Sequence, residues 1–192
     1  MEGMRVLAFC LPLLFASVAV GNEPVSRVSF VNDVIPVLSK AGCNQGRCHA
    51  SSTGKGGFQL SLRGFAPERD HLALTRDLFD RRISVVDPEA SLVLQKPSQG
   101  VPHQGGKVLP KGSNSYRILR EWIAEGARGP DDRDPQVVEV RVSKTEVVLD
   151  PGTKLQLSVN ARFSDGSERE VREWSLFDSN DAQVATVDRE GV

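Results

Sequence analysis

Cys43, Cys48 and His49 stand together in the segment AGCNQGRCHA, residues 41 to 50, and these residue types can perform chemistry. Two thiols can add to the vinyl groups of haem while the adjoining imidazole reaches the iron. The same thiols can instead close a disulfide, bind zinc with further histidines, or remain unpaired. Haem attachment usually has two residues between the cysteines, whereas this segment has four. A loop of Asn44, Gln45 and Gly46, with Gly46 at positive φ, makes the longer spacing feasible.

The N-terminus indicates the compartment in which these thiols work. Residues 1 to 21 contain one arginine, an apolar stretch and small residues near a cleavage point, which is typical of a secretory signal peptide. We therefore expect a periplasmic, extracellular or cell-surface protein, whose thiols can oxidise or receive haem after export. Pro12 interrupts the short apolar run, so no stable membrane span is expected after cleavage.

Composition excludes two classes of partner. The chain has 24 Lys and Arg against 25 Asp and Glu, giving a formal net charge of -1. No overall positive field would therefore attract nucleic acid or an anionic membrane.

Clustered glycines and carboxylates lack the spacing of phosphate or calcium loops, and no nucleophile elbow occurs. The sequence therefore contains no catalytic constellation, and we do not expect an enzyme within these residues.

Methionine is missing from the chain that remains after the signal peptide, because Met1 and Met4 both precede residue 22. A second iron ligand would therefore have to be histidine or nothing. We select His103, which lies between Pro102 and a flexible Gln-Gly-Gly segment, with His71 as the competitor. The simpler interpretation of His103 is a loop histidine bonded to the backbone, with an open or water-bound sixth position.

Helical periodicity dominates the first region, residues 22 to 129. The segment 29 to 43 places apolar residues on one helical face, with Asn32 or Asp33 expected as the cap and Pro36 in or near the first turn. A second helix is predicted from a cap at Ser113 to a stop at Gly126. Its apolar stripe consists of Tyr116, Leu119, Trp122 and Ile123. Shorter helical turns are expected in DHLALTRDLFDRR and SLVLQKP.

Strand patterns follow an exposed linker predicted at residues 130 to 136. Residues 138 to 142 and 155 to 163 alternate apolar and polar side chains, and AQVATVD, residues 182 to 188, predicts a later strand. Tight turns are expected at residues 150 to 152 and 164 to 167. The pattern of residues 137 to 192 predicts an antiparallel sandwich.

Several segments occur along the first region in the order NDVIPVLSKAGCNQGRCH, GKGGFQLSL, DPEASLVLQKP, VPHQGG and YRILREWIAEGA. In this order they resemble the planctomycete-type cytochrome c-like domains, over about residues 30 to 127. The resemblance implies one covalent haem c on Cys43 and Cys48, with His49 on the iron. It also implies that the helix before the cysteines packs against the later Trp-Ile helix. The C-x4-C-H spacing matches a subgroup of that family.

A departure from the family lies at residues 101 to 103, where Val-Pro-His stands in place of the Met-Pro-Pro segment of many relatives. Methionine ligation raises the reduction potential of haem iron. With His103 in that role we therefore expect a low-potential centre.

The second region contains SDGSEREV, a Trp-Ser pair at residues 174 and 175, and VATVDREGV. These residues resemble the bacterial Ig-like domain of group 2, over about residues 137 to 192. Such domains continue into a further hairpin, so we expect this domain to be incomplete and the chain to be a fragment of a longer one.

Two functions follow as alternatives. The first is a secreted c-type cytochrome-like electron-transfer module on an Ig-like spacer, with a redox partner protein or small electron carrier. The second is an adhesive module in which Cys43 and Cys48 form a disulfide and the partner is a cell-surface polysaccharide. The expected fold in both is a mainly α domain followed by an all-β sandwich.

Overall fold

Ser29 begins the first helix in the computed structural model, which describes residues 27–192. Its hydroxyl accepts a hydrogen bond from the Asn32 N–H at 3.0 Å, and the Asp33 carboxylate accepts one from the Ser29 N–H at 2.8 Å. This reciprocal pairing satisfies donors that a helix start leaves free. The prediction of Asn32 or Asp33 as the cap is therefore wrong, although Asp33 takes part in the pairing.

A π-helical turn, Phe30–Val34, leads directly into α1, Ile35–Lys40. The two together form the first helix. Pro36 lies in the first turn of α1, as the sequence predicts. The predicted signal peptide, residues 1 to 21, lies outside the described residues. Within residues 27–192, no helix is long and apolar enough to cross a membrane.

The second predicted helix is confirmed as α4, Asn114–Ala124. The Ser113 hydroxyl caps it by accepting a hydrogen bond from the Tyr116 N–H at 3.2 Å. Gly126 follows the helix end with a φ of 95°, a left-handed conformation that glycine adopts at little cost. The N–H of Ala127 then returns to the Trp122 carbonyl at 2.9 Å, which closes the C-terminal end.

The core lies where the first helix meets α4, and the rings of Phe30 and Trp122 are 5.4 Å apart. Two shorter helices, α2, Pro67–Thr75, and α3, Leu92–Gln95, complete the helical region. The buried apolar side chains include Phe30, Val34, Val37, Leu38, Leu60, Leu74, Leu94, Leu119, Trp122 and Ile123. The predicted apolar faces of both helices are thus the core faces.

Three strands form one antiparallel sheet in the order β1-β2-β3: β1, Val137–Val142, β2, Val159–Phe163, and β3, Glu168–Glu170. The turn predicted between β2 and β3 is present, with Gly166 at a φ of 84°. On β2 the predicted alternation is confirmed, because Val159, Ala161 and Phe163 are buried and their neighbours are exposed.

The strand predicted over AQVATVD, residues 182 to 188, is wrong. Asp181 ends the extended chain there, because its carboxylate accepts the N–H of Gln183 at 2.9 Å and its carbonyl accepts the N–H groups of Val184 and Ala185. Residues 182–184 consequently form a turn. Residues 27–192 contain the single three-stranded sheet, and the two-sheet sandwich stays a prediction.

The predicted linker lies against the first helix instead of running free through solvent. The Ser29 hydroxyl donates to the Asp134 carboxylate at 2.6 Å, and the Asn32 amide donates to the Pro135 carbonyl at 2.7 Å. Beyond the linker, Arg169 on β3 donates to the Asp33 carboxylate at 2.8 Å. Both regions therefore meet at the first helix.

Candidate functional site

A cavity of about 870 Å³ opens in the helical region, and its volume is near the upper end of the range for small-molecule sites. Cys43, Cys48, His49 and His103 all line it. The structure thus brings together the four residues that the sequence predicts for the site. Apolar side chains supply much of the remaining wall: Val37, Leu38, Phe58, Leu78, Leu92, Val93, Val108, Leu109 and Leu119.

The cysteine segment forms a compact loop at the end of α1. The His49 N–H donates to the Cys43 carbonyl at 3.0 Å, and the Cys48 N–H donates to the Gln45 carbonyl at 2.9 Å. Positive φ occurs at Gly42, at 82°, and Gly46 stays outside the left-handed region. The prediction that Gly46 supplies the left-handed turn is therefore wrong, because these backbone bonds close the loop without it.

Both cysteines are free thiols in the structure. Burial is the main cause that raises the pKa of the Cys43 thiol to about 12, and the neighbouring Cys48 adds to the effect. Cys43 is therefore protonated at neutral pH and sits against the apolar core. Among residues 27–192, no three His, Cys, Asp or Glu side chains gather closely enough to hold a metal ion by themselves.

His49 is oriented by Phe58, which follows it in the sequence. Its Nδ1 lies 3.1 Å from the Phe58 carbonyl oxygen, and its ring lies 4.6 Å from the Phe58 ring. Because a carbonyl only accepts, Nδ1 carries the proton and Nε2 keeps its lone pair. Burial lowers the pKa of His49, which favours this neutral imidazole. A neutral histidine with a bonded Nδ1–H is the usual form of a metal ligand.

His103 shows the same arrangement on another part of the wall. Its Nδ1 lies 3.0 Å from the Gly106 carbonyl oxygen, which again leaves Nε2 as the free acceptor. Gly105 makes room for the ring, because a Cβ there would lie 2.6 Å from the His103 Cε1. The small neighbours noted in the sequence therefore accommodate the imidazole itself.

His71, the competing ligand, lies elsewhere. Its Nε2 is 2.8 Å from the Ala127 carbonyl oxygen, and its ring is 5.3 Å from Phe30 and 6.3 Å from Trp122. The cavity wall does not include it. His71 thus supports the contact between the first helix and α4, and of the two candidates His103 shares the cavity with His49.

Sequence reasoning missed two residues that shape the site, Arg82 and Gly54. Arg82 is buried, and its guanidinium lies 4.6 Å from the Phe58 ring. Gly54 permits the close approach of the chain that carries the Phe58 carbonyl, since a Cβ at Gly54 would lie 2.0 Å from that oxygen. The role of Arg82 depends on contacts between separate segments, and that of Gly54 depends on the way the loop from residue 54 to residue 58 folds back on itself.

The charged side chains on the cavity wall share one sign. They are Lys55, Arg81, Arg82 and Lys96. The chain as a whole has a formal net charge of -1, so this wall is more positive than the composition suggests. An occupant that carries carboxylates would be favoured here over one that carries amines.

Comparisons with known proteins returned no matching family model, no matching curated protein and no matching solved structure.

Proposed function

We propose that this chain is an exported electron-transfer module that holds one covalent haem c in the cavity beside α1. The observation that carries the proposal is the convergence of Cys43, Cys48, His49 and His103 on that one cavity. The β-rich region then acts as a carrier that presents the helical region, and the partner is a redox protein or a small electron carrier. A periplasmic or cell-surface location fits the predicted signal peptide.

The donor set fits haem c in chemistry as well as in position. Each thiol would add across a vinyl group, forming one carbon–sulfur and one carbon–hydrogen bond with no atom lost. His49 would then be the proximal ligand through its free Nε2, with the Phe58 carbonyl holding the other ring nitrogen. When bound, haem c supplies a one-electron iron couple.

The cavity wall supports the same occupant. Its apolar residues suit a flat macrocycle, and its cationic residues suit the two carboxylates that haem carries. Burial lowers the pKa of His49, which favours the neutral imidazole that an iron ligand must be. Two histidine ligands would give a low-potential couple, as expected from the missing methionine.

The direct test is the absorption spectrum and intact mass of the full chain, exported from a host with cytochrome c maturation machinery. We expect a Soret band that shifts on reduction with dithionite, and the added mass of one haem. The variant C43S/C48S should carry no covalent haem, and a known c-type cytochrome expressed in parallel verifies the host.

An unloaded wild-type chain beside a loaded control would overturn the proposal. A mass two hydrogens below that of the reduced chain would then identify a disulfide between Cys43 and Cys48. That result would favour the adhesive alternative with a polysaccharide partner.

Replacing the second imidazole should change the coordination of the loaded protein. We expect His103→Ala to convert a six-coordinate, low-spin ferric spectrum to a high-spin one, and added imidazole to restore the low-spin form. His71→Ala is the control and should leave the spectrum unchanged, because His71 lies outside the cavity wall. An unchanged spectrum in His103→Ala would exclude His103 as a ligand.

A further inference from the structure

Arg82 is a buried cation without an ion-pair partner. Only 7% of its surface is exposed, and no carboxylate oxygen among residues 27–192 lies within ion-pair distance of it. Buried charges are normally paired, because leaving water is costly for an ion. Burying this guanidinium without an ion-pair partner costs free energy, so packing alone does not explain its presence at this position.

Backbone carbonyls from separate segments satisfy the guanidinium. One terminal nitrogen, Nη1, donates to the carbonyl of Ala73 on α2 at 2.8 Å and to that of Asp77 at 3.3 Å. The other, Nη2, donates to the Gly57 carbonyl at 3.0 Å. These contacts hold the chain just before Phe58 against α2. The charge of Asp77 acts on the guanidinium from beyond ion-pair distance, so no carboxylate pairs with Arg82 directly.

Phe58 connects Arg82 to His49, because it contacts both residues. The centroid of its ring lies 4.6 Å from the guanidinium carbon of Arg82 and 4.6 Å from the centroid of the His49 imidazole. Its carbonyl accepts the Nδ1–H of His49 at 3.1 Å. The planar guanidinium of Arg82 thus fixes the positions of the Phe58 ring and carbonyl, and His49 contacts both.

The geometry points to Arg82 as the positioning residue for His49 and as the charge that favours the reduced state of the site. This inference rests on the proposed function for its redox half, whereas its positioning half concerns the haem-free chain. A positive charge beside the cavity stabilises the form with one more electron. Arg82 would therefore raise a reduction potential that two histidine ligands otherwise keep low.

Three variants of the full chain separate these effects. Arg82→Met removes the fork and the charge, and Arg82→Lys keeps the charge but loses the planar, multiply bonded fork. Arg81→Met is the matched control, since Arg81 is exposed and also lines the cavity. Circular dichroism establishes which variants are folded, and Arg82→Lys serves for the positioning test if Arg82→Met does not fold.

The positioning half is read from the histidine ring nitrogens of the reduced, haem-free chain by ¹H–¹⁵N NMR. We expect His49 to be the Nδ1–H tautomer in the wild type and Arg81→Met, and a tautomer mixture in Arg82→Lys and Arg82→Met. An unchanged His49 signal in a folded Arg82 variant would overturn the positioning role. The experiment needs no haem, so it stands even if the proposed function fails.

The charge half is read from redox titration of the loaded proteins. At a fixed applied potential, Arg82→Met should lower the ratio of reduced to oxidised protein by about tenfold, or about 59 mV for a one-electron couple. Arg82→Lys should lower it by less than about threefold because lysine keeps the positive charge. Arg81→Met should also lower it by less than about threefold, because water screens the exposed charge of Arg81 more than the buried charge of Arg82. Equal shifts in Arg81→Met and Arg82→Met would overturn this half alone.

Discussion

Trp122→Ala is expected to cost about 3–5 kcal/mol of unfolding free energy, the largest loss for any single truncation of the core. Trp122 is 1% exposed, and its ring packs 5.4 Å from Phe30 across the contact between the first helix and α4. Its indole N–H also donates to the Arg128 carbonyl at 2.8 Å. The variant therefore loses apolar contacts and leaves the partly buried Arg128 carbonyl without its donor.

Urea unfolding followed by far-ultraviolet circular dichroism measures this loss. Trp122→Phe, which keeps an aromatic ring but removes the N–H donor, should lose about 1–2 kcal/mol. Arg117→Ala on the exposed face of α4 should change stability by less than about 0.5 kcal/mol. If Trp122→Ala matched Arg117→Ala, the contact between the two helices would not hold the domain together.

Gly54→Ala is expected to destabilise the chain by at least about 2 kcal/mol and to disturb His49. Gly54 has a φ of 62° and a ψ of 150°, a conformation available essentially to glycine alone. Its added Cβ would lie 2.0 Å from the Phe58 carbonyl oxygen and 2.5 Å from the carbonyl carbon. The carbonyl that accepts the His49 Nδ1–H must therefore move.

Gly56→Ala provides the matched control for Gly54→Ala. Gly56 also has a positive φ, 65°, but nothing lies within 4 Å of a Cβ placed there. It should lose only about 1 kcal/mol, the cost of a left-handed alanine, and should leave the His49 ring signals unchanged. Equal effects of the two substitutions on stability and on His49 would show that the Phe58 carbonyl is not constrained by Gly54.

Elements with local signals were predictable from the sequence. The cap at Ser113, the apolar stripe and the stop at Gly126 act within one helix, and α4 follows all three. The alternation on β2 is equally local, because successive side chains of a strand point to opposite faces. Cys43, Cys48, His49 and His103 were selected as ligand candidates from residue type and spacing, and the structure places all four on one cavity wall.

Elements decided by distant contacts were not predictable in the same way. Val138, Val140 and Val142 alternate as a buried strand would, yet all three are exposed on β1 because nothing in the described chain covers them. The predicted first cap fails for a local reason, because Ser29 exchanges hydrogen bonds with Asn32 and Asp33; the bond from Ser29 to Asp134 is the part that depends on a distant segment. The role of Arg82 depends on three carbonyls that only the folded chain brings together.

The contacts of the first helix with the sheet region have a consequence for the order of folding. Ser29 bonds to a residue 105 positions later, Asp33 to one 136 positions later, and Lys40 to Ser175, 135 positions later. Closing such long loops slows folding, because their entropy is lost before the contacts compensate for it. We therefore expect the contacts of the first helix with the sheet region to form late in folding. Under the proposed function, haem attachment to Cys43 and Cys48 would therefore compete with the completion of these contacts.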